Sequence, residues 1–216
     1  METVETIQRV IPFLLIGLNG YVCWRKPSLL FNVFLTFLVI GVLAEMGMVF
    51  VEHELNRRDW AWEIRNIYGF FDTVILMWIA VRYGNYKNSI RKARLFASVV
   101  GGVWIVFLLL HYFNVLAFQI GAMESTANVV LSLAMGFALL TRVEVTDQPL
   151  VNPINLLLCS QLVYLFSTVM IFGLGEMPIR NRLYFIHDIA HFLRDLLIVT
   201  ALLKELKTIK VEASKF

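Results

Sequence analysis

Apolar runs of about twenty residues recur along nearly the whole 216-residue chain, separated by short charged or proline-bearing breaks. No other feature constrains the fold as tightly. A run of that length with few charges leaves water for lipid. There every backbone N–H and C=O must be satisfied within the segment, which selects the α-helix. The runs fall at 8–24, 29–52, 66–82, 96–114, 119–141, 152–174 and 183–203. Arg25-Lys26-Pro27, the polar run from Glu54 to Arg65, the basic run from Arg82 to Arg94, Asp147-Gln148-Pro149 and the segment from Glu176 to Arg182 divide them. The break between the fourth and fifth runs is uncharged, and Val115 to Phe118 are expected to form a tight hairpin there. The pattern predicts an all-α, polytopic integral membrane protein, a single seven-helix transmembrane domain over 1–216.

Composition agrees with this reading. Hydrophobic residues make up 59% of the chain and charged residues 16%, whereas a soluble domain carries about 25% charge. The net charge of +3 is spread over the breaks and gives no nucleic-acid-binding patch. Cys23 and Cys159 fall inside apolar runs, which argues against a disulfide and leaves no cysteine-based metal motif. The opening METVETIQR lacks the basic start of a signal peptide, so the first run is expected to remain as a permanent helix. Aromatics such as Trp24, Trp60, Trp62, Tyr68 and Tyr184 sit near run ends, where an interfacial belt belongs. Twelve Lys and Arg residues flank one side of the expected membrane and six the other, which predicts the N-terminus outside and the C-terminus in the cytoplasm.

Ionisable groups inside lipid are costly and therefore mark candidate sites. The expected topology sends all four histidines to one side: His53 closes the second helix, His111 closes the fourth, and His187 and His191 open the seventh. Asp72 in the third helix, Glu124 in the fifth and Glu45, two turns below His53, lie on the same side. His187 and His191 form an H-x-x-x-H pair, so both imidazoles project from one helix face about a turn apart. Two nitrogens so placed can share one tetrahedral Zn²⁺. Arg194 and Asp195, deeper in the same helix, read as a structural polar pair.

These residues resemble the CREST superfamily of seven-helix membrane hydrolases, which includes alkaline ceramidases and the progestin and adipoQ receptors. The resemblance lies in a histidine ending the second helix (His53 in MVFVEHEL), an aspartate early in the third (Asp72 in IYGFFDTVILM) and the H-x-x-x-H opening the seventh (FIHDIAHFLRDLL). It implies that His53, His187 and His191 ligate zinc and that Asp72 orients or deprotonates a metal-bound water. It implies too a zinc-dependent attack on the amide of a ceramide-like lipid near the outer surface. Zinc with three protein ligands lowers the pKa of bound water toward about 7. Glu45, His111 and Glu124 are candidate further ligands or lining residues. The sequence departs from that family where it usually places a serine four residues before the second-helix histidine; here the residue is Val49. The calcium-binding N-terminal segment of ceramidases is also missing.

Two other readings stay open: a non-catalytic receptor or lipid-binding module of the same fold, and a redox protein whose histidines and carboxylates hold iron or haem. A retinal photoreceptor is disfavoured, since the seventh run has no lysine before Lys204. Membrane lipid is the expected partner, nucleic acid is not, and a homo-oligomer stays open.

Overall fold

The computed structural model describes residues 2–84, 90–113, 120–145, 147–173 and 180–213, with side chains described except at 2–9, 62, 90, 120–125, 170–173, 180–184 and 210–213. Every regular element among them is helical: α1 (Glu2–Arg25), α2 (Leu29–His53), α3 (Arg58–Gly84), α4 (Ile90–Tyr112), α5 (Ile120–Leu140), α6 (Pro153–Gly173) and α7 (Arg180–Ala213), with a π-helical turn over Thr141–Val145. The expected hairpin at 115–118 lies outside the described residues.

Among the described residues four helical segments are long and apolar enough to cross a membrane: Leu29–His53, Arg58–Gly84, Arg91–Tyr112 and Thr126–Val145. Val10–Arg25 and Pro153–Val169 are shorter apolar stretches. The apolar part of α7 is interrupted by Asp188, Arg194 and Asp195. Four helices exceed the apolar runs that announce them: α1 starts at Glu2 rather than near 8 and α4 at Ile90 rather than near 96. α3 starts at Arg58 rather than near 66, and α7 continues to Ala213 rather than ending near 203. Polar turns can continue a helix wherever water solvates their side chains, so hydropathy alone underestimates such helices.

Six helices pack in a closed order, α1 on α2, α2 on α3, α3 on α5, α5 on α6, α6 on α7 and α7 back on α1, while α4 packs on α3 from outside that ring. The core gathers towards the end where α1 and α3 finish and α2 and α6 begin. Val22, Leu30, Phe34, Leu76, Leu158 and Leu202 are essentially fully buried there. In lipid, helix association rests on close packing rather than on escape from water. Gly84 shows how close: a Cβ there would stand 2.6 Å from both Cα and Cβ of Ala138, so α3 and α5 meet only because the side chain is absent.

Polar groups at this end are matched. Asn19 Nδ2 donates to the Phe31 carbonyl at 3.1 Å, joining α1 to α2. Lys26 and Glu205 form an ion pair at 3.3 Å between the end of α1 and α7. Buried Arg142, in the π turn, donates from Nε to Asn155 Oδ1 at 2.6 Å. Asn155 Nδ2 in turn donates to the carbonyls of Gln148 and Pro149 at 3.3 and 2.9 Å, folding the α5–α6 connection over α6. α6 begins with Asn152 accepting from the Ile154 N–H at 3.0 Å and Pro153 in the first helical position, a favoured start.

Candidate functional site at the histidine pair of α7

His187, His191 and Arg194 recur at helical spacing on α7, and Asp195 follows. The two imidazoles meet: Nε2 to Nε2 is 3.0 Å, with ring centroids 4.4 Å apart and planes at 80°. Their partners come from α6, which runs antiparallel beside α7. Ser167 Oγ stands 3.1 Å from His187 Nδ1. The Tyr164 ring packs edge-on against His191, 5.0 Å between centroids, and lies 6.1 Å from His187. Arg194 places its guanidinium carbon 5.0 Å from the centre of the same tyrosine ring, at the distance of a cation–π contact. It also pairs with Asp195, Nε to Oδ1 at 2.9 Å and a terminal nitrogen to the same oxygen at 2.8 Å. The expected structural pair of Arg194 and Asp195 is thus present.

α3 contributes from the facing side of the interior. Asp72 is buried at 7% relative exposure. The Tyr68 phenol, one turn before it, lies within electrostatic range of Asp72, Tyr164, Arg194 and Glu45. Gly41 on α2 faces Tyr68: a Cβ at 41 would lie 3.6 Å from the phenol oxygen, in ordinary contact. The result is a polar centre spanning α3, α6 and α7.

The residues expected from sequence divide into three groups. His187 and His191 come together as their spacing requires, and Asp72 faces the interior. His53 and His111 are exposed at the ends of α2 and α4, and Glu45 is exposed on α2. The Glu124 side chain lies outside the described residues.

The family resemblance implies a zinc site of His53, His187 and His191. Among the described residues no three of His, Cys, Asp and Glu converge as a metal-holding group. His53 therefore does not complete the pair. Packing order accounts for this: α7 packs on α6 and α1, whereas α2, which ends at His53, packs on α1 and α3.

Sequence reasoning missed Ser167, Tyr164 and Tyr68. The signal was present for the first two, because Gln161, Tyr164 and Thr168, with Ser167 beside it, mark a polar stripe at helical spacing on an apolar helix. Nothing in the sequence says that this stripe meets α7. The chain matches no family model, no curated protein and no solved structure.

Proposed function

We propose that the chain is an integral membrane protein with seven spanning helices, its N-terminus outside and its C-terminus in the cytoplasm, and that it acts as a receptor-like module binding an amphiphilic lipid at the polar centre of α3, α6 and α7. One observation carries this reading. The His187–His191 pair, at 3.0 Å and held by Ser167, is a half-buried hydrogen-bonding centre inside the bundle, with two imidazoles and, among the described residues, no third ligand gathered for a metal. Buried polar groups in lipid are costly unless they do something. In this reading they receive the polar head of a membrane-resident molecule whose tail stays among apolar helices.

The amidase reading needs His53 beside the pair and a carboxylate turned to a metal-bound water, and the donor set supports it less well. Lipid extraction and mass spectrometry on purified protein separate the two. The binding reading expects a stoichiometric co-purified amphiphile in wild type that is lost in His191→Ala. About one tightly held zinc per chain, lost together with amide hydrolysis in His187→Ala, would restore the hydrolase.

A further inference from the structure

α4 rests on α3 outside the ring of the other six helices and turns one face to it. Ala93, Ala97, Gly101 and Trp104 are buried and recur at helical spacing. A Cβ at Gly101 would stand 3.1 Å from Val74 Cγ2, so that glycine serves close packing on α3. The opposite face carries Leu95, Ser98, Gly102, Val106 and Leu109, three or four residues apart and all exposed. A Cβ at Gly102 would meet nothing within 4 Å, so this stripe is open at its middle. Arg91 and Arg94, also exposed, stand one turn before Leu95 and Ser98 and head the stripe.

Exposed arginines elsewhere have partners close at hand. Arg57 donates to both oxygens of Asp59 at 3.1 and 2.8 Å, Arg58 lies 3.6 Å from Glu52, and Arg25 donates to the Tyr21 hydroxyl at 3.1 Å. Arg91 and Arg94 make no ion pair among the described residues. The sequence around them offers none: no Asp or Glu lies between Asp72 and Glu124, an interval that holds Arg82, Lys87, Arg91, Lys92 and Arg94.

Arg91–Tyr112 is long and apolar enough to cross a membrane, which puts the two guanidiniums at its edge and the stripe against acyl chains. A basic cluster at that level attracts anionic lipid, and the planar guanidinium matches a phosphate with two hydrogen bonds. A zwitterionic lipid offers the same phosphate with its own cation beside it. A second copy docked in parallel on this face would bring two such arginine pairs together, at a cost in like-charge repulsion.

We propose that the outward face of α4 docks an anionic phospholipid of the surrounding leaflet, its phosphate held by Arg91 and Arg94 and its acyl chains laid along the stripe from Leu95 to Leu109. The site is separate from the polar centre of α3, α6 and α7 and does not depend on the ligand proposed there.

Native mass spectrometry of the full-length protein, titrated in neutral detergent with dioleoyl phosphatidylglycerol or dioleoyl phosphatidylcholine, tests it. Wild type is expected to bind phosphatidylglycerol the more tightly. Arg91→Gln/Arg94→Gln should lose roughly thirtyfold in that affinity, about fivefold for each charge removed, and bind phosphatidylcholine as before. Arg57→Gln/Arg58→Gln removes two exposed cations that already face carboxylates and should keep the preference. Phosphatidylglycerol with a diazirine in one acyl chain should cross-link to α4 between Leu95 and Leu109 in wild type and lose that cross-link in Arg91→Gln/Arg94→Gln. Equal binding of the two lipids, an unchanged preference in Arg91→Gln/Arg94→Gln, an equal loss in both double variants, or cross-links confined to other helices would each overturn the proposal. So would full displacement of the lipid by inorganic phosphate, or a dimer in which α4 meets α4 of a second copy.

Discussion

The two ends of the bundle are built on different terms. At the end where α1 meets α2 and α5 meets α6, apolar side chains such as Phe34, Leu158 and Leu202 are close-packed, and Asn19, Arg142 and Asn155 are tied to named partners. Towards the other end lie His187, His191, Ser167 and Asp72, with His53 and Glu45 exposed on α2. The first end holds the helices together. The second gathers a histidine pair, a serine and a buried carboxylate. On the proposed function, stability and ligand binding are separated along the helix axes, so substitutions at the two ends should fail in different ways.

The largest effect is expected at the packed end. Asn155→Ala removes the acceptor of Arg142 Nε and the donor to two loop carbonyls. At about 1–3 kcal/mol for each buried group left unsatisfied, the loss should reach about 3 kcal/mol, read from thermal melting in detergent. Gly84→Ala should follow at about 1–3 kcal/mol, because the new methyl lands on the Ala138 backbone and α3 must move off α5. A neutral result at Gly84 would show that this end is not close-packed.

The polar end should respond in the opposite sense. His191→Ala should cost little stability, on the order of 0.6 kcal/mol as for typical interhelical polar contacts in membranes, while abolishing retention of the amphiphile. A collapse in stability with retention intact would invert the comparison. The Lys26–Glu205 pair is partly exposed, so Lys26→Ala should change stability by less than about 1 kcal/mol, falling further in high salt. Smallest of all, dialysis against a strong chelator should leave the wild-type melting temperature unchanged, since among the described residues no three-ligand metal group ties the polar end together. A drop on chelation would break that account.

Much of the fold could be read from residue order. α2 runs from Leu29 to His53 against an expected 29–52, because Pro27 and the polar run after Glu54 bracket one uninterrupted apolar stretch. α6 lies over Pro153–Gly173 against 152–174, its start marked by Asn152 and Pro153. The early start of α3 and the long tail of α7 escaped because charged helical turns look like loops on a hydropathy scale. Within the candidate site, the His187–His191 pair was legible from its four-residue spacing alone. The partnership with Ser167 was not, since two polar stripes on different helices reveal neither their rotation nor their relative depth.

By itself the sequence determined the helical class, the order of the helices and the shared face of the two histidines. Those follow from local rules: apolar length, helix breakers and a period of 3.6 residues. The tertiary structure decided which helices are neighbours, and with that the rest. It set α6 against α7 so that Ser167 and Tyr164 meet the imidazoles, left His53 exposed at the end of α2, and placed α4 with His111 outside the ring. A metal site needs side chains from distant segments at one depth, and depth is a property of packing rather than of spacing along the chain.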